Sequence, residues 1–213
     1  RLTGGDPMGA FQFNHGRQAE ELIEAGLLRD ITDIAEAEGW TDIINPPSLL
    51  ESCTVDGRIY CAPVNIHSWQ WLWLSHKAYD DAGLDVPTNW DEYVASASAL
   101  NDAGKLPLAM GQQGWQQRGL FNTLFAALVP NEVFLAVYDD KDADVAAGAD
   151  VARVFAAAAD AREMASNSTV QNWNDATNLV ITGQAGGQIM GDWAQGEFAV
   201  AEQVAGTDYS CLP

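Results

Sequence analysis

Apolar residues recur at helical spacing in some stretches and alternate in others, with glycine and proline at the joins. Gly16 to Ala25 has an apolar side at Leu22 and Ile23 and stops at Gly26, a natural left-handed cap, so it reads as a helix. Asp30 to Glu38 reads as a second short helix, ending at Gly39. Asn45-Pro46-Pro47-Ser48 interrupts the pattern, and Asp56-Gly57 is a hairpin turn signal. Pro63 to Trp73 reads as extended, and Lys77 to Ala82 as a short helix closed by Gly83. Thr88 is the expected N-cap of the next helix, with Asp91 completing a capping-box-like start and Asp102 near its end. A strand at Leu106 to Met110, a helix from Arg118 to Val129 and a long Ala-rich helix from Val145 to Met164 follow. A helix from Asn174 to Thr182 and an apolar strand from Gly186 to Met190 complete the reading. Helices alternating with short strands predict an α/β fold.

Within Pro63–Trp73, Trp69, Trp71 and Trp73 fall at every second position, with His67 continuing the series. In an extended chain these share one face. Such a stripe is either core or a ligand surface. Leu72 and Leu74 make the segment apolar on both faces, which assigns Trp71 and Trp73 to the core and Trp69 to a ligand cleft. An indole offers a flat apolar face and one N–H donor, the surface on which the C–H groups of a sugar ring stack.

Composition narrows the partners. The chain has 213 residues, enough to bury a core as one large or two small domains. Its formal charge of −20 argues against nucleic acid, whose phosphates need basic patches, and disfavours an anionic membrane surface. Read by itself, the acidity points to solubility rather than to a function. No apolar run approaches the roughly 18–20 residues that span a bilayer, so no membrane insertion is expected. No basic segment followed by an apolar stretch is present, so no signal peptide is read; the chain opens at Arg1 and is expected to be processed or cut.

Cys53 and Cys61 flank the Asp56-Gly57 turn, which brings them together; they are a disulfide candidate, with two buried thiols as the alternative. Cys211 is left over. The histidines and cysteines lack zinc spacing, so no metal site and no cofactor are expected. Asn167-Ser168-Thr169 matches a glycosylation sequon at chance level.

Four segments combine aromatic side chains with amides or acids: His67–Trp73, Gly111–Arg118, Trp173-Asn174-Asp175 and Gly191–Gln195. The second and fourth directly follow predicted strands, where α/β sheets bind ligands. A carboxylate beside an indole suits a sugar, because its oxygens accept hydroxyl hydrogen bonds while the ring stacks. The candidate ligand-binding residues are therefore His67, Trp69, Gln113, Trp115, Gln116, Asp192 and Trp193. Trp115 and Trp193 would stack; His67, Gln116 and Asp192 would hydrogen-bond. A glycosidase needs a second carboxylate at a defined distance, and no acidic pair lies in aromatic context. Nucleophile and phosphate-loop motifs are also missing, so no catalytic residue is assigned.

The ordered series Asp56-Gly57-Arg58-Ile59-Tyr60, Pro63-Val64-Asn65-Ile66-His67, Trp71-Leu72-Trp73, Ala82-Gly83-Leu84, Pro87-Thr88-Asn89-Trp90-Asp91-Glu92, Ile181-Thr182-Gly183-Gln184-Ala185 and Met190-Gly191-Asp192-Trp193-Ala194 resembles the extracellular solute-binding proteins of ABC sugar importers. The likeness is to the glucose/mannose-binding branch of the maltose-binding-protein-like superfamily and covers roughly residues 11–213. It implies a periplasmic-binding-protein-like two-lobe fold of the class II type, incomplete here at both ends. Residues 1–64 would be part of the N-terminal lobe, 65–105 a crossover strand with connecting helices, and 106–213 part of the C-terminal lobe. Sugar contacts would come from the strand of His67, the loop around Trp115 and the turn at Asp192 and Trp193. The implied role is a monomeric, non-enzymatic periplasmic receptor that passes a monosaccharide to a membrane permease. A receptor for a polyol, an oligosaccharide or another solute is the first alternative, a carbohydrate-active enzyme the second. The sequence departs from the family at Ser75, where Asn is frequent.

Overall fold

At Asp56-Gly57 both residues take positive φ (51° and 75°), and the chain reverses between β1 (Thr54–Val55) and β2 (Arg58–Ile59). Around this hairpin the computed structural model, which describes residues 1–213, builds the first of two units, Arg1–Ile66. Its helices are α1 (Arg17–Glu24), α2 (Thr32–Ala37), α3 (Trp40–Ile43) and α4 (Ser48–Glu51). The core is small: Ala35, Leu50, Cys53 and Ile59, with Ile31, Trp40 and Ile44 half-buried around them. Cys53 and Cys61 are joined in a disulfide, with their Cα atoms 5.1 Å apart. Asp30 ties α2 to β2. Its Oδ1 accepts from the Thr32 N–H (2.9 Å) and hydroxyl (2.6 Å), and its Oδ2 pairs with Arg58 at 2.6 Å.

The second unit, His67–Pro213, holds a four-stranded mixed sheet. Its strands are β3 (Trp71–Ser75), β4 (Leu106–Leu108), β5 (Ala185–Met190) and β6 (Tyr209–Leu212), in the order β4-β5-β3-β6. β4 runs parallel to β5; β3 is antiparallel to β5 and β6, with Trp71 opposite Met190 and Trp73 opposite Cys211. Residues 65–105 were expected to be a crossover strand with connecting helices; the unit boundary falls at Ile66–His67 within that range. Residues 67–105 fold with 106–213, because β3 takes its hydrogen bonds from β5 and β6.

Helices α5 (His76–Ala82), α6 (Trp90–Asp102), α7 (Gly114–Leu128), α8 (Asn131–Tyr138), α9 (Ala143–Ala146), α10 (Ala149–Met164), α11 (Trp173–Ile181) and α12 (Gln195–Val200) surround the sheet. Leu72 and Leu74 join one apolar cluster with Tyr79, Tyr93 and Phe125, while Trp73 joins another with Met190, Phe198 and Tyr209. The two-sided apolar character of β3 is thus satisfied on both faces. Gly187 permits this packing: a Cβ there would lie 2.9 Å from the Trp73 carbonyl and 3.1 Å from the Tyr93 ring.

Helix ends show where local chemistry departs from expectation. The cap of α6 is Asn89, whose side chain accepts from the Glu92 N–H (2.9 Å), while Glu92 reaches back to the Thr88 N–H and hydroxyl (both 2.8 Å). The cap sits one residue later than expected, and Glu92 bonds back to Thr88 rather than to the N–H of the cap itself, so the reciprocal box is not completed. The long Ala-rich helix is split, with α9 ending before Gly148, which caps α10. Ser75 caps α5 by accepting from the Ala78 N–H at 3.3 Å, a role its short hydroxyl fills as Asn would.

Candidate functional site

The expected stripe from His67 to Trp73 does not form as one face. β3 begins only at Trp71, and the Trp71 N–H donates to the Trp69 carbonyl at 2.9 Å. That three-residue turn at Gln70 breaks the alternation. Trp71 and Trp73 stay with the core, and Trp71 Nε1 donates to Ser68 Oγ at 2.9 Å. Trp69 leaves their face and joins residues from two other segments.

The turn after β5 supplies Asp192 and Trp193, on a short 3-10 helix (Asp192–Ala194). Asp192 is bound to the segment preceding β3 at three points. Its N–H donates to the Ser68 carbonyl (2.8 Å), its Oδ2 accepts from the Ser68 N–H (3.2 Å), and its Oδ1 meets His67 Nδ1 (2.8 Å). Beside an ionised carboxylate the imidazole nitrogen serves as donor. Partial burial pushes the Asp192 carboxyl up. The hydrogen bonds from His67 and Ser68 and the attraction of the imidazole outweigh that and hold it below its ordinary value. Asp192 is therefore ionised at neutral pH, and each oxygen keeps a lone pair beyond its internal bond. Its side chain and that of His67 are 39% and 40% exposed, so those lone pairs are within reach of a solute.

The indoles gather around this pair. Trp193 meets His67 edge-on with ring centroids 5.1 Å apart, Trp69 at 4.8 Å and Trp173 at 6.4 Å. Trp69 also meets Trp115 at 5.6 Å and 88°. All four rings are half-buried. Trp193 folds back over Gly191, where a Cβ would fall 2.1 Å from its ring. The site is a face of the second unit. A recess of about 320 Å³ in the same unit, lined by His76, Lys77, Asp80, Asp81 and Asp208 among others, contains none of these residues.

Residues Gly111–Gln117 were read as a loop, but α7 begins at Gly114, which places Trp115 in its first turn. Gln113 is exposed, and its Oε1 accepts from Trp115 Nε1 (2.9 Å) and Gln116 Nε2 (3.1 Å), orienting the indole. Gln116, expected to bind a ligand hydroxyl, is only 2% exposed. Its Oε1 accepts from the Gly111 N–H (3.0 Å) and its Nε2 also donates to the Gln171 carbonyl (3.2 Å), so its amide is spent on holding the loop.

Other positioning residues went unassigned in the sequence. Buried Gln188 accepts from Thr177 Oγ1 (2.7 Å) and donates to the Trp173 carbonyl (3.0 Å), fixing the first turn of α11. Ser168 Oγ bonds both the N–H and the carbonyl of Met110 (3.0 and 2.7 Å), tying its loop to the end of β4. A lone glutamine inside Gly186-Gly187-Gln188-Ile189-Met190 was a visible signal; Ser168 offered none.

A sequence model of bacterial extracellular solute-binding proteins matches residues 1–211. Proteins named probable sugar-binding periplasmic protein, from Brucella melitensis biotype 1 and Rhizobium meliloti, are 35% and 33% identical over 213 residues. Each match takes in 100% of this chain and 50% or 51% of the relative, so the chain spans about half the length of the curated relatives it matches. Among solved structures, a chitin oligosaccharide binding protein is similar with a TM-score of 0.66 at 20% identity, over 92% of this chain and 49% of that one. A structure described under xylan utilization by a thermophilic bacterium is similar at 0.63 and 16% identity, over 84% and 46%. These likenesses are to two-lobe α/β binding folds.

Proposed function

This chain belongs to the bacterial extracellular solute-binding protein family, and we propose that it is the sugar-recognising part of a periplasmic receptor for an ABC importer. The family and the curated relatives are binding proteins, not enzymes. The observation that carries the sugar reading is the patch formed by Trp69, Trp115, Trp173 and Trp193 around an ionised Asp192 that His67 orients. Trp115 and Trp193 stack on the sugar, and Asp192 and His67 take its hydroxyls. Two curated relatives named as sugar-binding periplasmic proteins support the same class of solute and the same compartment.

The ligand is a monosaccharide of the glucose or mannose type. The rings pack edge to face in one compact patch rather than lying in a row, which suits a single pyranose. A polyol or a short oligosaccharide is the competing ligand. The receptor captures the sugar and delivers it to the membrane permease without chemical change.

The test is a tryptophan-fluorescence titration of the full-length protein with glucose, mannose, galactose, maltose and a polyol. One saturating sugar response is expected. Asp192→Asn is expected to weaken it about tenfold to a hundredfold, the worth of a charged hydrogen bond of roughly 1.5–3 kcal/mol. No response to any sugar would move the assignment to another solute.

A further inference from the structure

Trp69 joins the two segments that carry the stacking indoles. Its backbone follows Ser68, which is bonded to Asp192 through both its N–H and its carbonyl, and Asp192 precedes Trp193. Its ring meets Trp193 on one side and Trp115 on the other. Trp115 and Gly119 are one turn apart on the same face of α7. A Cβ on Gly119 would fall 2.0 Å from Trp69 Cζ2 and 2.5 Å from its Nε1, so the indole lies directly on the helix backbone. The Trp69 Nε1–H is buried there without a hydrogen-bond partner. Leaving a buried donor unmet is costly, so packing rather than hydrogen bonding fixes this ring.

We propose that Trp69, seated on Gly119, is a wedge that sets the pose of Trp115 relative to Trp193 and thereby the width of the sugar-stacking surface. The effect on sugar affinity rests on the sugar-binding reading above; the coupling between the indoles does not. Trp69 is a positioning residue: it touches the two stacking rings and holds them at a fixed spacing. Gly119 is required by contact and not by backbone conformation, because its φ is ordinary.

The test uses the full-length protein labelled with 5-fluorotryptophan, its fluorine resonances assigned by single Trp→Phe changes. Gly119→Ala is expected to move the resonances of Trp115 and Trp193 and to leave those of Trp40 and Trp90 in place. It is expected to raise the dissociation constant for glucose or mannose about tenfold or more. Gly196→Ala is the control, since a Cβ there meets nothing within 4 Å. Trp69→Phe is the second variant; its smaller ring leaves room, so Gly119→Ala should cost less in that background. Unmoved Trp115 and Trp193 resonances in both Gly119→Ala and Trp69→Phe overturn the wedge. So does an equal effect of Gly119→Ala in both backgrounds. Moved resonances without sugar binding by the wild type would keep the wedge and sink the sugar reading.

Discussion

Asp30 and Gln188 show how single polar groups hold the two units. Hydrogen bonds from the Thr32 hydroxyl and N–H and from Arg58 lower the Asp30 carboxyl from 3.8 to about 2. A carboxyl lowered by folding contributes stability above its unfolded value and loses it as pH falls through its folded value. The contribution of Asp30 is therefore complete above about pH 4 and disappears between there and about pH 2. Asp30→Asn is expected to destabilise the first unit at neutral pH and to flatten its acid loss in that window, read by circular dichroism. An unchanged acid profile would show that Asp30 does not link α2 to β2. Gln188 acts without titrating. Gln188→Leu removes its bonds to Thr177 Oγ1 and the Trp173 carbonyl, which keep only their bond to each other (3.0 Å), and is expected to cost about 1 kcal/mol in urea unfolding. It should also loosen Trp173 against Trp193. A neutral result would mean that another group, or water, satisfies both.

Elements set by local chemistry were legible in the sequence, and those set by distant partners were not. The Asp56-Gly57 hairpin and the strand before Asp192 follow from turn residues and an apolar run. β6 escaped notice because Tyr209–Leu212 is short and pairs with β3, more than 130 residues earlier in the chain. The aromatic stripe was misplaced for a similar reason: bonds from Asp192 to Ser68 and a turn at Gln70 override the extended period, and neither shows in local spacing. The tandem Thr88-Asn89 offers two residues able to cap, and only the geometry selects Asn89. Asn89→Ala is expected to cost about 1 kcal/mol, the usual worth of an N-cap, whereas Thr88→Ala should cost less because the Glu92 carboxylate keeps its bond to the Thr88 N–H. Urea midpoints of the two variants decide the order. A larger loss at Thr88 would put the cap back where the sequence placed it. For the candidate site, residue types pointed to segments that the fold brings together, while Gln116 turns inward, because an amide reads the same whether it faces solvent or its own loop.

Across the whole molecule, the charge is strongly unbalanced. Thirty acids stand against ten lysines and arginines, for a formal net charge of −20. Two of the few cations, Lys77 and Lys105, pair with the same Asp81, and most acids have no cationic partner within 4 Å. Exposed ion pairs of this kind contribute little, about 0–1 kcal/mol each. Folding brings the unpaired carboxylates closer together than they lie in the unfolded chain, so self-repulsion opposes the folded state. Salt screens that repulsion, with a Debye length of about 10 Å at 0.1 M. The melting temperature is therefore expected to rise as sodium chloride goes from about 10 mM to about 0.5 M, by roughly 2–4 °C for each kcal/mol of repulsion removed. The run Asp139-Asp140-Lys141-Asp142-Ala143-Asp144 tests the cause. Asp142 caps α9 through the Asp144 and Val145 N–H groups and must stay, whereas Asp139 stands at the C-terminal end of α8, where a negative charge is unfavourable. The double change Asp139→Asn and Asp140→Asn should raise the melting temperature at low salt and reduce its slope with salt; Asp144 stays, because its charge suits the first turn of α9. Equal gains from sodium chloride and sodium sulfate at matched ionic strength would identify screening, while a gain from sulfate alone would assign the effect to exclusion of the salt from apolar surface. A melting temperature that falls with chloride would show that attraction among the paired groups outweighs repulsion among the rest.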